Sequence, residues 1–241
     1  LRDRFGVAAV DLRGHGRGLP VDGHFRVSDC ADDVAALVDA LDAGPVILAG
    51  YSLGGVVAQL TWRRHPDKVA GLVLCATSRN FGGTAHERAF YRAMFGASVA
   101  AQVVMSVLER GADAARAAAE NADDRIAETA EAIGRPLPAW AFDELRHCDP
   151  FAAMGALAAL GRFSSRDWIG DVDVPTAVVV TAHDRMISPV RQRKLAASIP
   201  GATVHEVAAD HTACVLGARR FVPALVDACT SVADRLRKRA A

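Results

Sequence analysis

The chain has 241 residues, of which 51% are hydrophobic and 23% charged, a composition that suits one soluble globular domain with a sizeable core. Its formal net charge is +0, so no electrostatic argument favours nucleic acid or an anionic membrane as partner. No apolar run approaches the ~20 residues of a membrane span, and five cysteines without metal-like spacing read as reduced, mostly buried thiols of a cytoplasmic protein.

Short apolar runs alternate with helical patterns along the chain. That alternation predicts an α/β fold, a mostly parallel sheet with helices on both faces. Residues 5–11 predict a buried strand, followed by a glycine-rich turn at residues 13–18. Ser28 is placed to cap a helix whose apolar positions Val34, Leu37, Val38 and Leu41 recur at helical spacing. Gly44 and Pro45 stop it. Residues 46–51 form a short apolar strand, residues 54–64 a helix that ends near Pro66, and residues 69–76 another buried strand.

The pattern then changes. Residues 79–166 show no convincing strand and several alanine-rich helical stretches, broken at Gly96, Gly111 and the pair Pro136 and Pro138. This block is expected to be an inserted helical cap between two parts of the core, residues 1–78 and 167–241. Alternation resumes with a strand at residues 175–181, a helix at 189–198, a strand at 203–207 and a final helix at 216–237. Arg235, Arg237, Lys238 and Arg239 read as a solvated helix end at the negative pole of the helix dipole.

One motif carries chemistry. Gly50, Tyr51, Ser52, Leu53, Gly54 and Gly55 lie between an apolar strand and a helix, the context a nucleophile elbow needs. A sharp strand-to-helix turn would lift the Ser52 hydroxyl clear of the strand. Glycine is expected to be required at both Gly50 and Gly54 to avoid collisions, with Gly55 allowing close packing. The helix N-terminus would aim free N–H groups at the reaction centre, making the N–H of Leu53 an oxyanion donor.

A serine hydroxyl needs a base, usually a histidine oriented by a carboxylate. Asp184 follows the strand at 175–181, and His211 follows the strand at 203–207. Both fall at the same predicted sheet edge as Ser52. His183 precedes the last strand and so occupies the wrong slot for the base. His205 lies inside a strand, while His15, His24, His65, His86 and His147 read as loop, surface or cap residues. Asp210 could perturb the neighbouring imidazole. No metal-site spacing occurs among the histidines, acids and cysteines, so no metal is expected.

These residues carry a resemblance along the whole chain. Asp11 to Gly18, read as Asp-Leu-Arg-Gly-His-Gly-Arg-Gly, looks like the loop after strand four in α/β-hydrolases of the lactonase, esterase and haloperoxidase-like group. The elbow, the segment from Val174 through Asp184, Pro189 and Pro200, and the pair Asp210 and His211 resemble the corresponding parts of that group. The resemblance implies Ser52 as nucleophile, Asp184 as acid, His211 as base and Leu53 as one oxyanion donor. Thr181 and Asp210 depart from it, each standing where the group commonly has glycine.

The resemblance also implies three strands ahead of the one that opens this chain. The loop after the third would supply a second oxyanion donor, and the ten residues before Asp11 cannot hold it. The expectation is an N-terminally incomplete hydrolase core lacking an interior strand. One lost oxyanion donor alone costs roughly 10²–10³ in rate.

The expected function is hydrolysis of a small ester, lactone or thioester through an acyl-enzyme, with no cofactor. A non-catalytic ligand-binding relative and a cofactor-free acyltransferase are the alternatives. Tyr51, Phe81, Tyr91, Phe95 and Trp140 are candidates to contact the substrate, with Phe90, Met94 and Phe142 as further pocket candidates.

Overall fold

The computed structural model describes residues 1–83, 89, 92, 93 and 149–240. Of the expected cap, residues 84–88, 90, 91 and 94–148 lie outside them, and with them Tyr91, Phe95, Trp140 and the further candidates Phe90, Met94 and Phe142. In chain order the elements are α1 (Val27–Ala40), β1 (Val46–Tyr51), α2 (Leu53–Arg64), β2 (Val69–Cys75), α3 (Pro150–Arg162), β3 (Thr176–Thr181), α4 (Pro189–Ser198), β4 (Thr203–Val207) and α5 (Ala218–Ala240). The chain divides into two compact units. One comprises Leu1–Ala8, Arg26–Gly83 and Leu160–Ala241 and carries the sheet; the other comprises Ala9–Phe25 and Thr84–Ala159.

The sheet has the order β1-β2-β3-β4, and every neighbouring pair is parallel. β2 and β3 lie in its middle and read as continuous apolar runs because both of their faces are covered. Successive side chains alternate between those faces. Leu72, Leu74, Val178 and Val180 meet Ala58 and Trp62 of α2 and Leu195 and Ala196 of α4. Val73, Cys75, Ala177 and Val179 meet Phe221, Ala228, Cys229 and Val232 of α5. Right-handed crossovers between strands laid down in sequential order put α2 and α4 on one face. α5 follows the last strand and covers the other.

Several expectations are corrected. Residues 5–11 form no strand: residues 6–11 are exposed coil, with Val7 51% and Val10 43% exposed. A strand exists through its ladder, and no ladder takes up these residues, so Val7 and Val10 stay in solvent while Phe5 packs against the α5 side of the core. Ser28 does not cap α1. The helix begins at Val27, with Arg26 in the cap position, and the Ser28 hydroxyl donates instead to Asp29. The C-terminal basic run is not wholly solvated. Arg235 donates to the carbonyls of Gly201 at 2.8 Å and Thr176 at 2.7 Å, and Arg239 donates to the carbonyl of Asp173 at 2.8 Å. These bonds tie the end of α5 to the start of β3 and the turn before β4.

Cys30, Cys75 and Cys229 are buried thiols, while Cys214 is exposed, and none of these four is disulfide-bonded. Among the described residues no helix is long and apolar enough to cross a membrane.

The core assignment makes a direct prediction. Leu72 is 0% exposed at the centre of the α2 and α4 face. Leu72→Ala should destabilise the fold by about 2–5 kcal/mol in denaturant unfolding. A loss well below that range would mean the face is not packed as described.

Candidate active site

A parallel sheet brings all its strand C-termini to one edge, where the loops that follow them meet. Ser52 follows β1 directly, Asp184 lies three residues past the end of β3, and His211 lies four past the end of β4. The sheet order therefore collects the three residues although 159 positions separate Ser52 from His211.

Ser52 sits in the sparsely populated region at φ 50° and ψ −112°. Such a conformation costs of order 1–3 kcal/mol and persists only where the surroundings hold it. Three holds are visible. The Ser52 N–H donates to the carbonyl of Cys75 at the end of β2, at 2.9 Å. The N–H of Gly55 closes the turn onto the Ser52 carbonyl at 3.0 Å. A Cβ on Gly50 would lie 2.2 Å from the carbonyl oxygen of Gly54, so only glycine lets the helix start fold back on the strand.

Gly54 itself behaves differently from the motif's usual explanation: a Cβ there would meet nothing within 4 Å. The collision is one-sided, between a side chain at Gly50 and the backbone at Gly54. Gly55 does allow close packing, since its added Cβ would come within 2.5 Å of Thr77 just beyond β2. Gln59, one turn into α2 and fully buried, locks that approach. Its amide nitrogen donates to the carbonyls of Gly55 and Ser78, and its oxygen accepts from Ser165 at 2.7 Å.

A continuous chain of hydrogen bonds runs through the site. Ser52 Oγ lies 3.0 Å from His211 Nε2, and His211 Nδ1 lies 2.7 Å from Asp184 Oδ2. An ionised carboxylate only accepts, so Nδ1 carries the proton and Nε2 is left to accept from the serine hydroxyl. The Asp184 side chain is 0% exposed and that of His211 14%.

Burial alone would raise the Asp184 pKa. Hydrogen bonds from His211, the Ile187 amide and Thr181, with the attraction of His211, outweigh it and hold the carboxyl below its usual value. The other oxygen, Oδ1, accepts the backbone N–H groups of Met186 at 2.9 Å and Ile187 at 2.8 Å. This is the arrangement for a base oriented by a buried anion, able to take a proton from a hydroxyl and return it to a leaving group.

Neighbouring residues hold the histidine loop. The Tyr51 hydroxyl donates to the His211 carbonyl at 2.8 Å, and its ring packs edge-on against Phe221 at 5.2 Å. Burial first, then nearby Cys214 and Asp184, push the Tyr51 hydroxyl pKa far up, so it stays a neutral donor. Asp210 accepts from the amide and hydroxyl of Thr212, at 3.0 and 2.6 Å, and so closes the turn that presents His211. The backbone N–H of His183 donates to the carbonyl of Ala209 at 3.0 Å, stitching the acid loop to the base loop.

Leu53 is the first residue of α2, where a backbone N–H has no partner within the helix. Phe81 is 2% exposed, with its ring against Phe163 at 6.3 Å. His65 pairs with Asp32, and His205 lies within β4.

Sequence reasoning did not find Gln192. It lies on the buried face of α4 with Leu195 and Ala196, at i, i+3 and i+4. A polar residue on such a face was the available signal.

A family model described as the alpha/beta hydrolase family matches residues 1–224. The pimeloyl-[acyl-carrier protein] methyl ester esterase of Chromobacterium violaceum is 31% identical over 239 residues, 94% of this chain and 85% of that protein. The esterase of the same name from Neisseria meningitidis serogroup B (serotype 15) is 34% identical over 187 residues, and the match covers 76% of this chain and 66% of that protein. Among solved structures, the enol-lactonase from Burkholderia xenovorans superposes with a TM-score of 0.64 at 26% identity, over 91% of this chain and 79% of that one.

Two predictions follow from the geometry. Gly50→Ala should disable the turn and sharply lower both stability and activity, whereas Gly54→Ala should be tolerated; paired melting and rate measurements check this, and equal damage from both would contradict it. The lowered pKa of Asp184 means its ionised form stabilises the fold above the unfolded carboxyl value of about 3.9. That contribution is lost as pH falls through the lower, folded value. The stability difference between the native chain and Asp184→Asn should therefore shrink as pH falls below about 3.9, as urea unfolding at several acid pH values would show.

Proposed function

Because this chain belongs to the alpha/beta hydrolase family, we propose that it is a serine esterase that cleaves a small ester by two-step acyl transfer. The observation that carries this reading is the unbroken line from Ser52 through His211 to Asp184, with bonds of 3.0 and 2.7 Å. His211 takes the proton of Ser52 as its oxygen attacks the ester carbonyl, and Asp184 stabilises the imidazolium that forms. The N–H of Leu53, at the positive end of α2, receives the developing oxyanion. His211 then returns the proton to the departing alcohol. Water, activated by the same imidazole, releases the acid and frees Ser52.

The names of the relatives supply the substrate class. A methyl ester esterase and an enol-lactonase both act on an ester carbonyl, open-chain in one and cyclic in the other. The strained Ser52 backbone favours catalysis over simple ligand binding, since a binding site has no need of a hydroxyl held at such cost. For the acyl group we keep residues 79–166 as the proposed cap, with Phe81, Tyr91, Phe95 and Trp140 as its candidate lining on the sequence argument, and Tyr51 beside the nucleophile.

Ser52→Ala should lower turnover of short p-nitrophenyl and methyl esters by roughly 10⁴-fold or more, with the melting temperature little changed. Ester turnover near the native rate by this variant would refute the assignment of the nucleophile.

A further inference from the structure

We propose that Thr181 and Gln192 are positioning residues that fix the Asp184 carboxylate and set the pH at which His211 acts as a base. The inference rests on the reading of Asp184 as the acid of the site. Thr181 ends β3, and its hydroxyl donates to Asp184 Oδ2 at 2.8 Å.

The direction of each hydrogen bond follows from chemistry. The backbone N–H of Thr181 can only donate, and it lies 3.0 Å from Gln192 Oε1. The Ile187 carbonyl can only accept, and it lies 2.7 Å from Gln192 Nε2. These two contacts fix which way the Gln192 amide faces. Its nitrogen therefore points at Thr181 Oγ1, 2.9 Å away, and at Asp184 Oδ2, 3.2 Å away. The threonine hydroxyl accepts from that nitrogen, and its single proton goes to the carboxylate. Gln192 and Thr181 are both fully buried, so no water competes for these groups.

The result is a polarised line from Gln192 through Thr181 to the oxygen that faces His211. Bonds in such a line reinforce one another. Oδ2 thus receives Thr181 and His211, with a Gln192 proton shared between Thr181 Oγ1 and Oδ2, while two backbone amides occupy Oδ1. The carboxylate cannot rotate without breaking several bonds in a dry site. Donors also draw electron density from Oδ2, so it attracts the His211 proton less strongly. Removing one should strengthen the hold of Asp184 on the imidazolium, which must then lose its proton at higher pH before it can serve as base.

The test is the acid limb of the pH profile of kcat/KM, which reports the free enzyme. It is measured with a p-nitrophenyl ester on the full chain. Thr181→Val keeps the shape and removes the hydroxyl. It should move the limb up by about 0.5–1 pH unit and lower the rate below that limb by about three- to tenfold. Thr181→Ser, which keeps the hydroxyl, should restore the limb. Gln192→Met should move it in the same direction and gives a second reading should the valine variant fail to fold. A uniform loss of rate with an unmoved limb would overturn the proposal and leave Thr181 and Gln192 as packing residues. Asp184→Asn separates the two levels. Its collapse beside an unmoved limb in Thr181→Val sinks this proposal alone, whereas full activity in Asp184→Asn sinks the acid assignment and this proposal with it.

Discussion

A buried carboxylate is the constraint on which the site depends. Asp184 has no exposed side-chain surface, and a charge taken out of water is tolerated only where partners replace the water. Here partners replace it on both sides: two backbone amides on one oxygen, and His211, Thr181 and a shared proton of Gln192 on the other. Each partner comes from the acid loop, the end of β3, the first turn of α4 or the loop after β4. The carboxylate thereby fixes the relative placement of the elements that must converge for the histidine to reach the serine.

The opposite half of the site is held by backbone rather than by charge. Ser52 is kept at positive φ by its bond to the end of β2 and by the turn that Gly55 closes. Gly50 admits the folded-back helix start, and Gly55 lets α2 sit against Thr77. Gln59 then pins that helix to the segments after β2 and around Ser165. Strain at one residue is thus matched by tight packing around it, and the same packing sets the first N–H of α2 at the serine. On the proposed mechanism, the feature that lifts the nucleophile also places the oxyanion donor.

The central strands, the elbow and the three residues that meet at the sheet edge were legible because each left a local signal. β2 and β3 are unbroken apolar runs, and Ser52, Asp184 and His211 each follow a strand. Residues 5–11 left the same apolar signal yet form no strand, because a strand also needs a neighbour and composition is silent on that. Ser28 had the right chemistry for a cap and the wrong position by two residues, since α1 starts at Val27. The role of Thr181 was hidden for a related reason. Seen in the chain it is only a departure from glycine, and its meaning depends on Gln192, eleven residues on, turning inward from α4. Likewise Asp210 looked like a charge beside the imidazole, while its carboxylate is used to close the turn through Thr212.

On the proposed mechanism Ser52 forms the covalent intermediate. The most direct measurement is peptide mass spectrometry after reaction with a fluorophosphonate, locating the adduct residue by residue. One adduct is expected, on Ser52, formed at a rate that falls with the acid limb of ester turnover. An adduct on any other residue, or full ester turnover by a chain that Ser52 modification has saturated, would contradict it.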